Sequence, residues 1–299
     1  MNVEWTGQNQ TTALAAEQDG GNKMKKYEFT GEVKRIKLIG TEVVLRRIRA
    51  VTAFGVVKAG DIGGWIEKEE NLSHDGSAWV YGDARVYGNA RVYGNAKVYG
   101  DAWVYGNARV YGDARVYGNA KVYGDAWVYG NAKVCGNAEV YGNAEVYGDA
   151  RVYGNAEVCG DAWVYGNAKV CGNAEVYGNA EVYGNAKVCG NAEVYGNAKV
   201  CGNAEVYGNA EVYGDAEVYS VNHIFSIGPI GSRNEYTTFY RNKNEKIEVR
   251  CGCFNGIIEE FLEKVAETHG ENKHASVYRA AAEIAKLQIE PLSTDEEAE

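Results

Sequence analysis

The chain has 299 residues, a net charge of −10, two prolines and no run approaching the ~20 apolar residues of a membrane helix, which excludes a helical membrane protein. Its polar N-terminus lacks the apolar core of a signal peptide. Its seven cysteines, an odd number, point to a reducing compartment, the cytoplasm of the host cell.

In chain order, residues 1–24 read as a disordered extension. Residues 25–62 read as a β-rich cap, with strands over Tyr27–Phe29, Val33–Ile39 and Val43–Val51 and a turn at Gly40-Thr41. Residues 63–232 are dominated by a six-residue unit, Ala-x-Val-Tyr-Gly-Asn, repeated 24 times without gap from Val80 to Val218. A short fixed period means that each unit buries its apolar side only against a neighbour. Side chains alternate along a strand, so Ala84 and Val86 face inward while Arg85 and Tyr87 face outward. Gly88 and Asn89 tolerate positive φ and make the corner between strands of about four residues. Ile66 and Leu72 continue the frame upstream, offset by a two-residue insertion at Asp75-Gly76. Ile224 and Ile230 extend the six-residue step downstream. Residues 233–290 read as an α+β cap: a hairpin of Tyr236–Arg241 with Lys246–Arg250, then helices over Ile257–Thr268, with Gly270 as C-cap, and Ser276–Leu287. Residues 291–299 are an acidic tail.

The unit, as in Val86-Tyr87-Gly88-Asn89-Ala90-Arg91, resembles the bacterial transferase hexapeptide repeat, with Tyr where a small or acidic residue is usual. The resemblance implies an all-β solenoid: a left-handed triangular parallel β-helix of about 8–10 coils, three hexads to a coil. The 24 perfect units alone would make a shaft roughly 38 Å long at about 4.8 Å per coil. The segments Gly60-Asp61-Ile62-Gly63-Gly64-Trp65, Asn71-Leu72-Ser73-His74, Ile230-Gly231-Ser232-Arg233 and Cys251-Gly252-Cys253-Phe254 resemble those of repeat proteins encoded in phages and prophages, a group that implies no defined activity.

A coil of three units sorts the outward x position into three columns. One holds six consecutive cations, Lys97, Arg115, Lys133, Arg151, Lys169 and Lys187, after Trp79 and before Glu205. A second ends in five carboxylates, Glu139, Glu157, Glu175, Glu193 and Glu211. The third is mixed. Like charges on neighbouring strands are unfavourable by tenths of a kcal/mol up to ~1, so either tandem duplication copied the columns or they meet partners. The cations, flanked by Tyr99 and Tyr117, suit a polyanion such as single-stranded nucleic acid, or an acidic protein. The acidic column suits a nucleic-acid mimic, and the two columns suit pairing between copies into a homo-oligomer. Nineteen of the 24 units carry Tyr outward: rings stacked from coil to coil would make a structural ladder, whereas exposed aromatic surface of that extent would mark an interface. The other five carry Cys. Cys171 and Cys189 stack about one strand spacing, ~4.8 Å, apart, but parallel in-register strands aim sulfurs poorly, and all five read as free thiols.

No nucleophile–base pair, nucleotide loop or cofactor motif is evident. The four histidines, His74, His223, His269 and His274, lie outside the perfect units. Hexapeptide acyltransferases use a histidine as general base. An acyltransferase here would therefore need a site formed between chains near His74 or His223. Cys251 and Cys253 with His269 and His274 could supply zinc ligands, but the C-x-C spacing is tight and the structural reading is preferred. The leading expectation is a non-enzymatic phage or prophage rod that binds a host or phage macromolecule through its outward ladders.

Overall fold

The computed structural model describes residues 25–38 and 40–289. The expected disordered extension and acidic tail lie outside them. The repeats form a three-faced parallel β-solenoid of about nine coils. Each x-Val pair is a strand that pairs in register with its counterpart on the next coil, as Lys133 does with Arg151 and Val140 with Val158. Regular strand is mostly two residues long rather than the expected four. Hydrogen bonding nevertheless runs wider. Arg85 N–H donates to Ala102 O (2.9 Å), Tyr87 N–H to Val104 O (3.1 Å) and Asn89 N–H to Gly106 O (2.8 Å), so even the corner is tied to the coil above. The Val and Ala of every perfect unit are 0–1% exposed and fill the interior as one continuous column.

The N-terminal end is sealed by a long antiparallel hairpin, Tyr27–Leu38 with Thr41–Ala50. The strand Ile62–Ile66 lies antiparallel to the hairpin and parallel to the first strand above it. Trp65 pairs with Arg85 and Leu72 with Val92, a longer step than in the shaft, so the insertion at Asp75-Gly76 is absorbed before the regular spacing begins. Gly63 permits this closure: a Cβ there would lie 2.6 Å from both Ile48 and Trp79. Trp79, an outward position in the repeat frame, is 1% exposed because Tyr27 and Phe54 pack on it. The Lys26 ammonium donates to Ala78 O (2.8 Å) at the coil's open end, and burial lowers its pKa to about 8.

At the other end the six-residue step stops at Val218. Ile224 still packs into the solenoid core as its phase predicts, but it and Ile230 bound a strand of a four-stranded antiparallel sheet, Ile224–Ile230, Glu235–Arg241, Ile247–Cys251 and Phe254–Ile257. The short helical turn Val221–His223 changes the chain's direction, so no further coil forms. The middle two strands are the expected hairpin; the outer two were not read from the sequence. Alternation gives this sheet two tasks. Tyr240 joins the solenoid core, while Phe239 and Val249 pack against the helices α1 (Ile258–His269) and α2 (Lys273–Gln288). Gly270 caps α1 as expected, its N–H bonding Ala266 O.

The corner glycines face a double constraint. Gly154 has φ +79°, and a Cβ on it would meet Gly172 O at 2.8 Å; Gly208, at the last corner of the same edge, has φ +70° but nothing within 4 Å. A left-handed non-glycine residue costs roughly 1–2 kcal/mol. Gly208→Ala should lose only that, whereas Gly154→Ala should lose clearly more, because a stacked backbone must also move. Urea midpoints of the two variants check the order, and equal losses would show that coil spacing adapts.

Candidate interaction faces

The register places all six expected cations, Lys97 to Lys187, on consecutive rungs of one face. Lys187 bonds Glu205 (2.6 Å), which holds that carboxyl below its usual range. Among the described residues no carboxylate pairs with Lys97, Arg115, Lys133, Arg151 or Lys169. A shallow depression lined by Ser77, Asn95, Lys97, Asp113 and Arg115 lies at the N-terminal end of the column.

The five glutamates likewise occupy consecutive rungs of the next face. They are not a bare row. A tyrosine hydroxyl from the coil below donates to most of them: Tyr123 to Glu139 (2.9 Å), Tyr141 to Glu157 (3.0 Å), Tyr177 to Glu193 (2.9 Å) and Tyr195 to Glu211 (3.4 Å). Lys121 also binds Glu139 and Arg250 binds Glu211, both at 2.7 Å. Glu175 is the exception, since its donor position holds Cys159. Partial burial, then Glu193 and Glu157, push its carboxyl above the usual range.

The outward aromatics form the structural ladder rather than the sticky surface. Tyrosines on successive coils stack with their rings nearly parallel at 4.8–4.9 Å, as in the run Tyr93, Tyr111, Tyr129, Tyr147, Tyr165, Tyr183. The stacks cover ring faces, so among the perfect units only Tyr153 (37%), Tyr207 (45%) and Trp163 (43%) count as exposed aromatics. Tyr99 and Tyr117 are stacked on one another at 4.8 Å. The corners carry parallel amide ladders, in which Asn119 Nδ2 donates to Asn137 Oδ1 and the chain of donors continues through Asn155, Asn173 and Asn191 to Asn209. Sequence periodicity located these columns, but a tyrosine reaching the glutamate of the next coil was visible only as a spacing and was not read.

Cys171 and Cys189 form a disulfide, with Cα atoms 4.6 Å apart. This corrects the reading of both as free thiols: local strand pairing extends through Gly172 and Gly190 and holds the two positions face to face. Cys135, Cys159 and Cys201 remain thiols.

The histidines serve the ends. His74 Nδ1 accepts Lys26 N–H (3.1 Å) beneath the stacked ring of Tyr27. His223 is 2% exposed, accepts Tyr219 N–H (3.1 Å) at Nδ1, and is pushed down to about 4 by burial and then by Arg241. A neutral, buried imidazole spent on the backbone is poorly placed to take a substrate proton. Of the four zinc candidates, His269 and His274 come together, with ring centroids 5.9 Å apart, but the two cysteines do not join them in one cluster. Cys251 accepts from Thr237 Oγ1 (3.2 Å), Cys253 is exposed beside Arg233, and His269 packs on Tyr278 (5.7 Å). Among the described residues no group of three or more metal-binding side chains is found.

Residues 78–92, 90–106, 102–118 and 114–130 match the model of the YdcK beta solenoid repeat. A protein named an uncharacterized acetyltransferase YdcK, from Escherichia coli (strain K12), is 39% identical over 62 residues, which is 19% of this chain and 19% of that protein. The chain thus spans about a fifth of the length of the curated relative it matches, and over that stretch the similarity supports a β-solenoid repeat protein.

The tyrosine ladders carry a pH signature. Burial, aided by neighbouring carboxylates or stacked rings, raises Tyr87 and Tyr147 to about 12 and raises others, including Tyr111 and Tyr129, further. Unfolded phenols ionise near pH 10. Between the two values the folded chain holds more protons than the unfolded one, so the ladders' contribution is complete below about pH 10 and is lost as pH rises through the folded pKa. Urea midpoints should therefore turn down steeply above about pH 10, against the opposite trend of Lys26, whose lowered pKa adds stability as pH rises from about 8, with phenolate absorbance appearing together with unfolding. Phenolate appearing near pH 10 without unfolding would contradict the buried-ladder account.

Proposed function

We propose that the chain is a non-enzymatic scaffold: a rigid, capped rod whose basic face binds an extended anionic macromolecule. The observation that carries this is the run Lys97, Arg115, Lys133, Arg151, Lys169, five adjacent cations with no carboxylate partner among the described residues. Each adjacent pair costs the isolated rod up to ~1 kcal/mol, a cost that an anion lying along the column removes. The glutamate column supports a nucleic-acid mimic less well, because tyrosine hydroxyls and two cations already occupy most of its carboxylates. The resemblance of the capping segments to phage and prophage proteins supports a phage or prophage origin, while the Cys171–Cys189 disulfide counts against a reducing compartment. Reversing Lys133, Arg151 and Lys169 to Glu should abolish retention on heparin at low salt without changing stability by more than ~1 kcal/mol. Unchanged retention would overturn the proposal.

A second reading, an acyltransferase, is favoured by the printed name of the E. coli relative. Under it the intact chain would bind coenzyme A in equilibrium dialysis and transfer an acyl group, and His74→Ala would abolish transfer. A chain that neither binds coenzyme A nor transfers the acyl group refutes it.

A further inference from the structure

The basic face differs from the other two in how its aromatic ladder is broken. Its column reads Tyr81, Tyr99, Tyr117, Cys135, Tyr153, Cys171, Cys189, Tyr207. Tyr99 stacks on Tyr117 at 4.8 Å and 1°. The next ring is missing. Cys135 offers only a thiol there, toward which the Tyr117 hydroxyl turns. Tyr153 has a cysteine on either side, one of them in the Cys171–Cys189 disulfide, and is 37% exposed where the stacked tyrosines are half-buried. Tyr117 and Tyr153 are two rungs, about 9.6 Å, apart. A flat ring set between them would sit at the ladder's own spacing from each.

The outward x positions around this interruption all carry cations, and the carboxylate of Asp149, at the corner before Arg151, accepts from Asn131 Nδ2 (3.1 Å). Lys133 lies on the rung of Cys135 and Arg151 on the rung of Tyr153, with Arg115 and Lys169 beyond them. The two other single-cysteine interruptions are different. Cys159 sits between Glu157 and Glu175 on the acidic face, and Cys201 is 2% exposed. Among the described residues, an uncovered tyrosine face meets a cation row that no carboxylate pairs on both sides of Tyr153, at Cys135 and at the Cys171–Cys189 disulfide; the interruption at Cys135 is the one a single rung wide, the width of one ring.

We propose that this interruption takes one unpaired base of a single-stranded nucleic acid. The base stacks on Tyr153 in the ring position that Cys135 leaves open, and the flanking phosphates lie on Lys133, Arg151 and their column neighbours. Stacking on an aromatic side chain next to a cationic track is how single strands are held with little sequence preference. A duplex keeps its bases paired and offers none to the gap. The inference rests on the basic face being an anion site, and it names the class of anion.

Cys135→Tyr tests it. The substitution completes the ladder with the repeat's own commonest residue, keeps every charge and leaves the core untouched. Binding of a fluorescent oligodeoxythymidylate is measured by anisotropy for the intact chain and for Cys135→Tyr, Cys135→Ala and Tyr153→Ala, beside a matched abasic oligonucleotide and inorganic polyphosphate, at one fixed ionic strength. Cys135→Tyr and Tyr153→Ala should each weaken oligodeoxythymidylate binding about tenfold. Cys135→Ala should bind like the parent chain. Abasic oligonucleotide and polyphosphate should bind all four proteins alike. If Cys135→Tyr binds the oligonucleotide as tightly as the parent, or if the abasic strand binds as well as the base-bearing one, the base site is overturned, while polyphosphate binding leaves the anionic-scaffold reading standing. If neither polymer binds, both fall.

Discussion

Every outward feature of this protein descends from one constraint, the in-register backbone hydrogen bonding of each coil to the next. Three donors per unit, on the x, Tyr and Asn positions, find acceptors on the following coil, as with Arg85 to Ala102, Tyr87 to Val104 and Asn89 to Gly106. That pairing fixes coil spacing at the distance between hydrogen-bonded strands. It also places like on like. Valine lies over valine, so the core has a constant cross-section; tyrosine lies over tyrosine, so rings stack at 4.8–4.9 Å; asparagine lies over asparagine, so each amide donates to the next. None of these ladders has to be specified separately, because a single unit repeated in register produces all of them. The same rule stacks lysine on arginine and glutamate on glutamate, where it costs free energy.

The structure meets that cost differently on its two charged faces. On the acidic face, tyrosine hydroxyls lean up to the carboxylates, and Lys121 and Arg250 close the two ends of the row. On the basic face, among the described residues, Lys187 alone has a carboxylate partner, Glu205, and no tyrosine hydroxyl bonds any of the other five cations. The cation column is therefore the part of the rod whose local interactions are least complete. The end caps show the contrary case. Lys26 and the two histidines His74 and His223 place polar atoms against backbone groups that the terminal coils would otherwise leave open.

The shaft was legible because its information is redundant. Val140 had to face inward, for its neighbours at the same phase are never charged, and it is 0% exposed. The face assignment of Lys133 and Arg151 followed from counting three units to a coil. Legibility failed where the unit's logic gave way to context. Ile224 and Ile230 had the right phase, but the turn at Val221–His223 redirected them into an antiparallel sheet. Trp79 had an outward phase and was buried by the hairpin that folds over it. For the tyrosines the period left a stacked ladder and an exposed sticky surface both open, because it says which way a side chain points and not what its neighbour in the ladder covers. The cysteine pair was misjudged for a related reason. Strand direction argued against bonding, whereas the local closeness of the two positions decided it.

Because each coil touches only the coil above and the coil below, the rod has no preferred number of storeys. Removing one whole coil from the middle leaves every valine over valine and every outward residue in its own column, and merely brings the caps closer. Removing a single unit would keep the core intact yet swing the C-terminal sheet and helices by a third of a turn around the axis, and would splice the cation column onto a different face. Replication slippage in such a gene can therefore change the reach of the molecule without changing its chemistry, but only in steps of a full storey.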